Sequence, residues 1–246
     1  MSNSPLVSYT KISPNKTSPR NHKIDTITIH CMAGNLSVEN CGASFAQSSR
    51  KASSNYGIGS DGRIALYVDE GDRSWCSGNK ANDHRAITIE VANTVAADPW
   101  PVSDKAYNSL IKLLVDICKR NGIKQLLWKA DKSLIGQVSK QNMTVHRWFQ
   151  NKACPGDYLY GLHSRIAAEV NSQLGGATTK TETKKSEEAD EVVTKVKILV
   201  NDKEVEVERI LKDGTNYVKL RDLDDKMGIC EVSYDSAKNM AIVKTK

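Results

Sequence analysis

Two short segments alternate apolar and polar residues, and both end next to chemically useful side chains. Residues 24–30 read Ile-Asp-Thr-Ile-Thr-Ile-His, and residues 86–91 read Ala-Ile-Thr-Ile-Glu-Val. Period-2 alternation is typical of half-buried β-strands. Each strand would carry one titratable group, His30 or Glu90, on the face opposite its isoleucines. An ordinary hydrogen-bonded histidine and an exposed sheet face are the alternative explanations for these two residues.

Three longer segments repeat apolar residues every three or four positions, which is typical of helices packed on a core. They cover residues 37–50, 103–122 and 157–174. Ser37 and Ser103 stand at the starts of the first two segments, where a serine commonly caps a helix. We therefore predict three amphipathic helices.

The remaining short segments complete the predicted fold. Residues 1–23 are rich in Ser, Asn, Pro and Lys, which predicts an extended arm. The Asp61-Gly62 pair between two apolar runs predicts a β-hairpin. Residues 126–128 (Leu-Leu-Trp) predict a short strand. Strands that alternate with helices indicate an α/β fold with a mixed central β-sheet flanked by helices.

The C-terminal part has a different composition. Residues 176–192 are charged and contain no aromatic residue, so they predict a flexible linker between a domain of residues 1–175 and a module of residues 193–246. The module is expected to be α+β or mostly β, because its apolar residues cluster in short strand-like runs. These runs occupy residues 196–200, 205–208, 217–220 and 241–243.

Composition excludes several classes of protein. With 39% hydrophobic and 26% charged residues, the chain has an ordinary globular composition. No apolar run is long enough to cross a membrane, so we expect no membrane partner. The net charge of +6 is spread along the chain and forms no basic stripe, so we expect no nucleic-acid partner. The six cysteines form no regular disulfide framework, and alternation places Cys31 on the face opposite His30.

The candidate chemistry lies in residues 143–156. His146 and Cys154 are eight positions apart, and Lys152 precedes the cysteine by two. Histidine and cysteine are preferred zinc ligands, and three protein ligands with one open position are typical of catalytic zinc. A single His–Cys pair is often structural, so the site requires a third ligand, for which His30 is the candidate.

Together, these segments resemble the zinc-dependent N-acetylmuramoyl-L-alanine amidases. This type-2 amidase family shares its fold with peptidoglycan recognition proteins. The resemblance covers residues 1–175 and depends on the strand ending at His30, the segment 87–93, and the His146…Lys152-Ala153-Cys154 run. It implies a peptidoglycan hydrolase that cleaves the amide bond between N-acetylmuramic acid and L-alanine.

The resemblance also implies roles for individual residues. His30, His146 and Cys154 would bind Zn²⁺, Glu90 would transfer the proton, and Lys152 would stabilise the oxyanion. The implied substrate contacts are Trp75, Asn82 and Ser54. Ser54 stands where phage lysozymes of the amidase type carry a tyrosine, so this chain is similar to the glutamate-dependent members.

The implied partner is bacterial peptidoglycan. The module 193–246 is expected to bind the cell wall through secondary wall polymers, and it is small enough for self-association to be expected. The N-terminus lacks the features of a signal peptide. We therefore expect a phage endolysin of a clostridial-type host, made in the host cytoplasm and acting on the wall after release.

Three alternatives stay open at the level of sequence. A non-catalytic peptidoglycan-binding protein of the same fold would lack the cysteine ligand position. A cysteine hydrolase using Cys154 and His146 would leave His30 and Glu90 without roles. An adhesion or scaffolding protein would depend chiefly on the C-terminal module.

Overall fold

The chain forms two compact units, Met1–Lys180 and Thr181–Lys246. The computed structural model describes residues 2–175 without interruption, followed by segments of the second unit. Those segments are residues 193–200, 203–212, 215–218, 228, 230–235 and 240–245. The linker predicted at residues 176–192 lies outside the described residues, so its flexibility stays a prediction.

The first unit is organised around a six-stranded mixed sheet. In chain order, the eight strands described in the first unit are β1 (Tyr9–Thr10), β2 (Lys16–Thr17), β3 (Thr26–Cys31), β4 (Tyr56–Ile58), β5 (Ile64–Leu66), β6 (Arg73–Ser74), β7 (Ala86–Val91) and β8 (Met143–Val145). The sheet has the order β1-β5-β4-β7-β3-β8, while β2 and β6 form a separate pair. The predicted hairpin is the antiparallel β4–β5 pair, and β3 pairs in parallel with both β7 and β8.

Four α-helices accompany this sheet. They are α1 (Val38–Phe45), α2 (Lys80–Arg85), α3 (Asp104–Asn121) and α4 (Gly156–Gly175). The predicted N-caps are confirmed, because Ser37 accepts a hydrogen bond from the Asn40 amide and Ser103 from the Ala106 amide. The first helix is shorter than predicted, and α2 was not predicted, since its six residues are too few to show a helical period.

The two faces of the sheet differ in chemistry. Ile27, Ile29, Ile87 and Ile89 are fully buried in one hydrophobic cluster with apolar residues of α3 and α4. The opposite face is polar, and hydrogen bonds link its threonine and serine hydroxyls. Thr28 bonds Thr144 at 2.8 Å, and Ser74 bonds Thr88 at 2.7 Å. Two positions further along the same two strands, this face carries His30 and Glu90.

The prediction of a strand at residues 126–128 is wrong, because the structure has no strand there. This segment has no strand partner, and side-chain amides satisfy its backbone groups instead. Asn171 bonds both the amide and the carbonyl of Leu126, while the Asn142 side chain accepts from the Leu127 amide at 2.7 Å. An apolar run can therefore be buried and extended without joining a sheet.

The second unit contains only β-strands among its described residues. Strands β9 (Val193–Val200), β10 (Lys203–Lys212) and β11 (Thr215–Val218) form an antiparallel sheet in the order β11-β10-β9. Strands β12 (Cys230–Asp235) and β13 (Met240–Thr245) form an antiparallel pair. Each of the four strands predicted in this unit overlaps an observed strand, whereas β12 was not predicted.

The predicted fold class, an α/β fold with a mixed central sheet flanked by helices, is confirmed. Within the described part of the chain, no helix combines the length and the apolar composition that crossing a membrane requires.

Candidate metal centre

The three predicted ligands come together at one end of the sheet. One nitrogen from each of His30 and His146 and the Cys154 sulfur all lie within 4.8 Å of one another. His30 Nδ1 is 3.4 Å from Cys154 Sγ, and the two imidazole centroids are 5.1 Å apart. Donor atoms bound about 2.0 to 2.3 Å from a tetrahedral zinc would be spaced similarly.

The loop after β8 brings His146 and Cys154 together despite their separation in sequence. His146 opens a single 3-10 turn, and the Arg147 amide donates to the Cys154 carbonyl at 3.1 Å. The chain then turns at Gly156, whose φ of 83° is in the left-handed region that favours glycine. Arg147 also bonds Asp157 at 2.9 Å across the loop. The cysteine is therefore held in a closed loop.

Burial keeps both histidines neutral and able to coordinate. Burial lowers the pKa of His30 to about 3, with a smaller effect from His146. The pKa of His146 is also lowered, chiefly by burial. Among the described residues, the Nε2 atom of each ring is buried without a hydrogen-bond partner. Such unpaired buried nitrogens fit a site built for a cation.

The sulfur and the carboxylate beside these rings are both poised for a cation. A hydrogen bond with Cys31 and burial raise the pKa of Cys154 well above its usual value. Burial, followed by the charge of Cys31, raises the pKa of Glu90 to about 8. A divalent ion placed among these groups would favour the thiolate and the carboxylate.

A cavity of about 330 Å³ opens onto the centre. His146, Cys154, Glu90 and the exposed Lys152 line it. Apolar side chains form much of the remaining wall, which includes Met32, Leu36, Phe45, Trp75 and Trp100. The cavity can therefore hold a partly apolar ligand next to an imidazole, a thiol, a carboxylate and an ammonium group.

The predicted substrate contacts are distributed differently from the expectation. Trp75 lines the cavity, and its indole nitrogen donates to Thr17 at 3.0 Å. Ser54 is fully buried, and its hydroxyl donates to the Tyr56 carbonyl at 2.7 Å. The Asn82 amide is buried among polar side chains, so Ser54 and Asn82 are interior groups here rather than cavity walls.

Two further cysteines, Cys31 and Cys76, lie at the centre although no sequence pattern predicted them there. The Cys31 amide donates to Cys154 Sγ at 3.4 Å, and Cys31 lines the cavity, so it is closer to the site than strand alternation predicts. Cys76 Sγ is 3.8 Å from Glu90 Oε1. The position of Cys76 directly after Trp75 was the only sequence signal for it.

Comparisons with known proteins agree with this architecture. The structure of PlyL has a TM-score of 0.50 at 16% identity, over 66% of this chain and 95% of that chain. The crystal structure of a selenomethionine AmpD derivative also has a TM-score of 0.50, at 18% identity, over 67% of this chain and 96% of that chain. At these identities the likeness shows the fold alone.

A comparison with curated protein sequences found no match. The family model described as N-acetylmuramoyl-L-alanine amidase matches residues 20–157, which is more than half of the chain and includes His30, Glu90, His146 and Cys154. The chain therefore belongs to the N-acetylmuramoyl-L-alanine amidase family.

Proposed function

We propose that this chain is a zinc-dependent peptidoglycan amidase that hydrolyses the bond between N-acetylmuramic acid and L-alanine. The observation that carries the proposal is the set of three ligand atoms within 4.8 Å, contributed by His30, His146 and Cys154 beside an open cavity. Family membership supports the amidase reaction. The zinc requirement rests on the chemistry of the donor set.

Two neutral imidazoles and one thiolate suit zinc, and three protein ligands leave a fourth position for the reaction. When bound, zinc lowers the pKa of a water molecule to near neutrality and polarises the scissile carbonyl. His30, His146 and Cys154 would hold the ion at the end of the cavity. The buried Nε2 atom of His146, which has no hydrogen-bond partner among the described residues, supports this assignment.

Glu90 would move the proton. Glu90 is half-buried and lines the cavity, and its Oε2 atom is shielded from solvent. A carboxylate in this position can take a proton from the attacking water and deliver it to the departing amide nitrogen. The products are a free lactyl carboxylate on the sugar and a free amino group on L-alanine.

Lys152 would stabilise the charge that forms on the carbonyl oxygen. Its side chain is exposed and lines the cavity, two residues before Cys154. Burial is the main cause of the lowered pKa of His146, and the nearby charge of Lys152 lowers it further. A fixed cation near the developing oxyanion favours the transition state over the ground state.

The rest of the chain would deliver this activity to the wall. Binding of residues 193–246 to secondary wall polymers would raise the local concentration of the catalytic unit. Self-association of this module, release of the chain from the host at lysis and a clostridial-type host stay predictions. The proposed binding to the wall is tested by measuring attachment of the isolated second unit to purified walls, with and without their secondary polymers.

The reaction is tested by digesting purified cell walls and measuring two products, new N-terminal alanine and new reducing sugar. The amidase reaction releases alanine amino groups without reducing ends. Reducing ends without alanine would refute the proposed reaction, and so would intact walls, which a non-catalytic binding protein would leave.

The metal requirement is tested separately. Chelation should abolish alanine release, and added zinc should restore it. A cysteine hydrolase that uses Cys154 and His146 would remain active in chelator, so retained activity in metal-free protein would refute the zinc mechanism while leaving the amidase reaction standing.

A further inference from the structure

A second set of ligand atoms shares one histidine with the first. One nitrogen of His30, the sulfur of Cys76 and one carboxylate oxygen of Glu90 lie within 4.8 Å of one another. We propose that His30, Cys76 and Glu90 form a second site for a thiophilic divalent cation, and that an ion bound there inhibits the enzyme by converting Glu90 from a base into a ligand.

The three groups have unused capacity to bind a cation. Within the described residues, Glu90 Oε2 and His30 Nε2 are buried and have no hydrogen-bond partner. The other carboxylate oxygen is 3.8 Å from the Cys76 sulfur, where the thiol donates its proton. A buried carboxylate that meets a thiol rather than a cation is incompletely compensated. A divalent ion would compensate it.

Hydrogen bonds to one buried carboxylate hold the loop that carries Cys76 in place. The amides of Cys76 and Ser77 both donate to the Asp83 carboxylate at 3.2 Å, and the Ser77 hydroxyl donates to it at 2.6 Å. Asp83 is itself buried in α2. The thiol is therefore positioned before any ion arrives, which lowers the cost of ordering the ligand.

The chemistry of the set selects the type of ion. Binding replaces the Cys76 thiol proton by a metal–sulfur bond, and the proton leaves to solvent, while the imidazole and the carboxylate contribute lone pairs. One thiolate, one imidazole and one carboxylate suit Zn²⁺ or Cd²⁺ and disfavour Mg²⁺ or Ca²⁺, which prefer oxygen ligands alone. Excess zinc is the physiological candidate, and cadmium is the more informative probe.

Inhibition follows from the shared residues. A carboxylate bound to a cation can no longer accept a proton from water, so occupation removes the function proposed for Glu90. A neutral imidazole has one free lone pair, so His30 also cannot serve both sites without losing its ring proton. The inhibitory consequence rests on the proposed function, whereas cation binding at this set does not.

Binding is tested without catalysis. The double variant His146→Ala/Cys154→Ser removes two ligands of the first site and leaves the second set intact. Adding Cd²⁺ to this protein should produce thiolate-to-cadmium charge-transfer absorption. A third substitution, Cys76→Ser, introduced into the double variant should abolish this absorption. The matched control Cys41→Ser, at another cavity-lining cysteine, should preserve it. Absorption that survives Cys76→Ser, or that is lost with Cys41→Ser, would overturn the site.

Thermal unfolding without metal establishes that each of these variants is folded. Glu90→Gln in the same double variant offers an independent measurement at a different ligand. It should weaken Cd²⁺ binding by about 10- to 100-fold, because the amide carries no charge. Unchanged affinity would show that Glu90 is not a ligand and would overturn the proposal even if the cysteine variants misfold.

Inhibition is tested on the otherwise unaltered full chain. Excess Zn²⁺ should suppress alanine release, and Cys76→Ser should raise the half-inhibiting concentration by about tenfold or more, relative to that variant's own activity at low zinc. Equal zinc sensitivity would refute the inhibitory role. If cadmium absorption depends on Cys76 but no wall digestion occurs in any protein, the cation site stands and the proposed function fails.

Discussion

His30 and Glu90 are register partners on the adjacent parallel strands β3 and β7. Their side chains therefore leave the sheet on the same face, at the same level along the two strands. Two positions earlier, Thr28 and Thr88 form the equivalent pair on the polar, hydrogen-bonded face. Backbone pairing thus fixes the separation between a proposed metal ligand and the proposed base, whereas the other two proposed ligands, His146 and Cys154, come from the loop after β8.

Glu90→Gln should retain the metal and lose most of the turnover. The amide is nearly isosteric but cannot take a proton, so alanine release should fall by about 100- to 10,000-fold. Metal content per chain, measured on the same samples, should stay unchanged. Glu169→Gln, at a partly exposed glutamate of α4, is the control and should behave like the unaltered protein. Full turnover in Glu90→Gln would refute the base assignment.

Lys152→Met should lower kcat more than it changes KM. The substitution keeps the length of the side chain but removes the charge next to the developing oxyanion, so we expect a loss of about 100- to 1000-fold in kcat. Steady-state kinetics on a soluble muramyl peptide separates the two constants. Lys129→Met, at an exposed lysine, controls for the loss of one positive charge. An increase in KM alone would indicate a binding role instead.

Asn82→Ala should reduce stability rather than catalysis. The Asn82 amide donates to Thr28 at 3.1 Å and accepts from Thr144 at 2.9 Å, so truncation leaves buried hydroxyls with fewer partners. We expect a loss of about 1 to 3 kcal/mol in the free energy of unfolding. Urea unfolding measures this loss, and activity is normalised to the folded fraction.

Asn108→Ala, at an exposed position of α3, serves as the control for Asn82→Ala and should change stability by about 0.5 kcal/mol or less. A normal unfolding free energy together with a raised KM would restore the direct substrate contact that the sequence suggested for Asn82.

Much of the scaffold was predictable because its pattern is local. Strands β3 and β7 follow from alternation, and α3 follows from its apolar period, the Ser103 cap and a left-handed Gly122. The ligand set required more, because no periodicity joins His30 to residues more than a hundred positions away. Only the combined motif, recognised as a family resemblance, indicated three candidate ligands whose donor atoms lie close together in the structure.

The errors have a common physical cause, which is that burial and side-chain hydrogen bonds are properties of the folded chain. Asn142 and Asn171 occupy the backbone groups that would have made residues 126–128 a strand. Cys76 was missed because a single loop cysteine carries no pattern until Glu90 and His30 are found beside it.

His163 should make the first unit sensitive to acid. Burial lowers its pKa to about 4, below the ordinary value of 6.5, although the hydrogen bond with the Leu159 carbonyl acts in the opposite direction. Its ring is fully buried against Trp128, and Nδ1 is 2.7 Å from the Leu159 carbonyl. The folded state therefore resists protonation that the unfolded chain accepts.

The sign of the effect follows from this difference in proton binding. Above pH 6.5 neither state binds the proton, so His163 makes no pH-dependent contribution there. As the pH falls from 6.5 towards 4, only the unfolded state gains the proton, and the folded state loses stability by at most about 3 kcal/mol.

Urea unfolding of the unaltered chain and of His163→Gln, at pH 7 and at pH 5, measures this loss of stability. The variant starts less stable but should lose less stability on acidification than the unaltered chain. Equal slopes for the unaltered chain and His163→Gln would mean that another buried group controls the acid sensitivity.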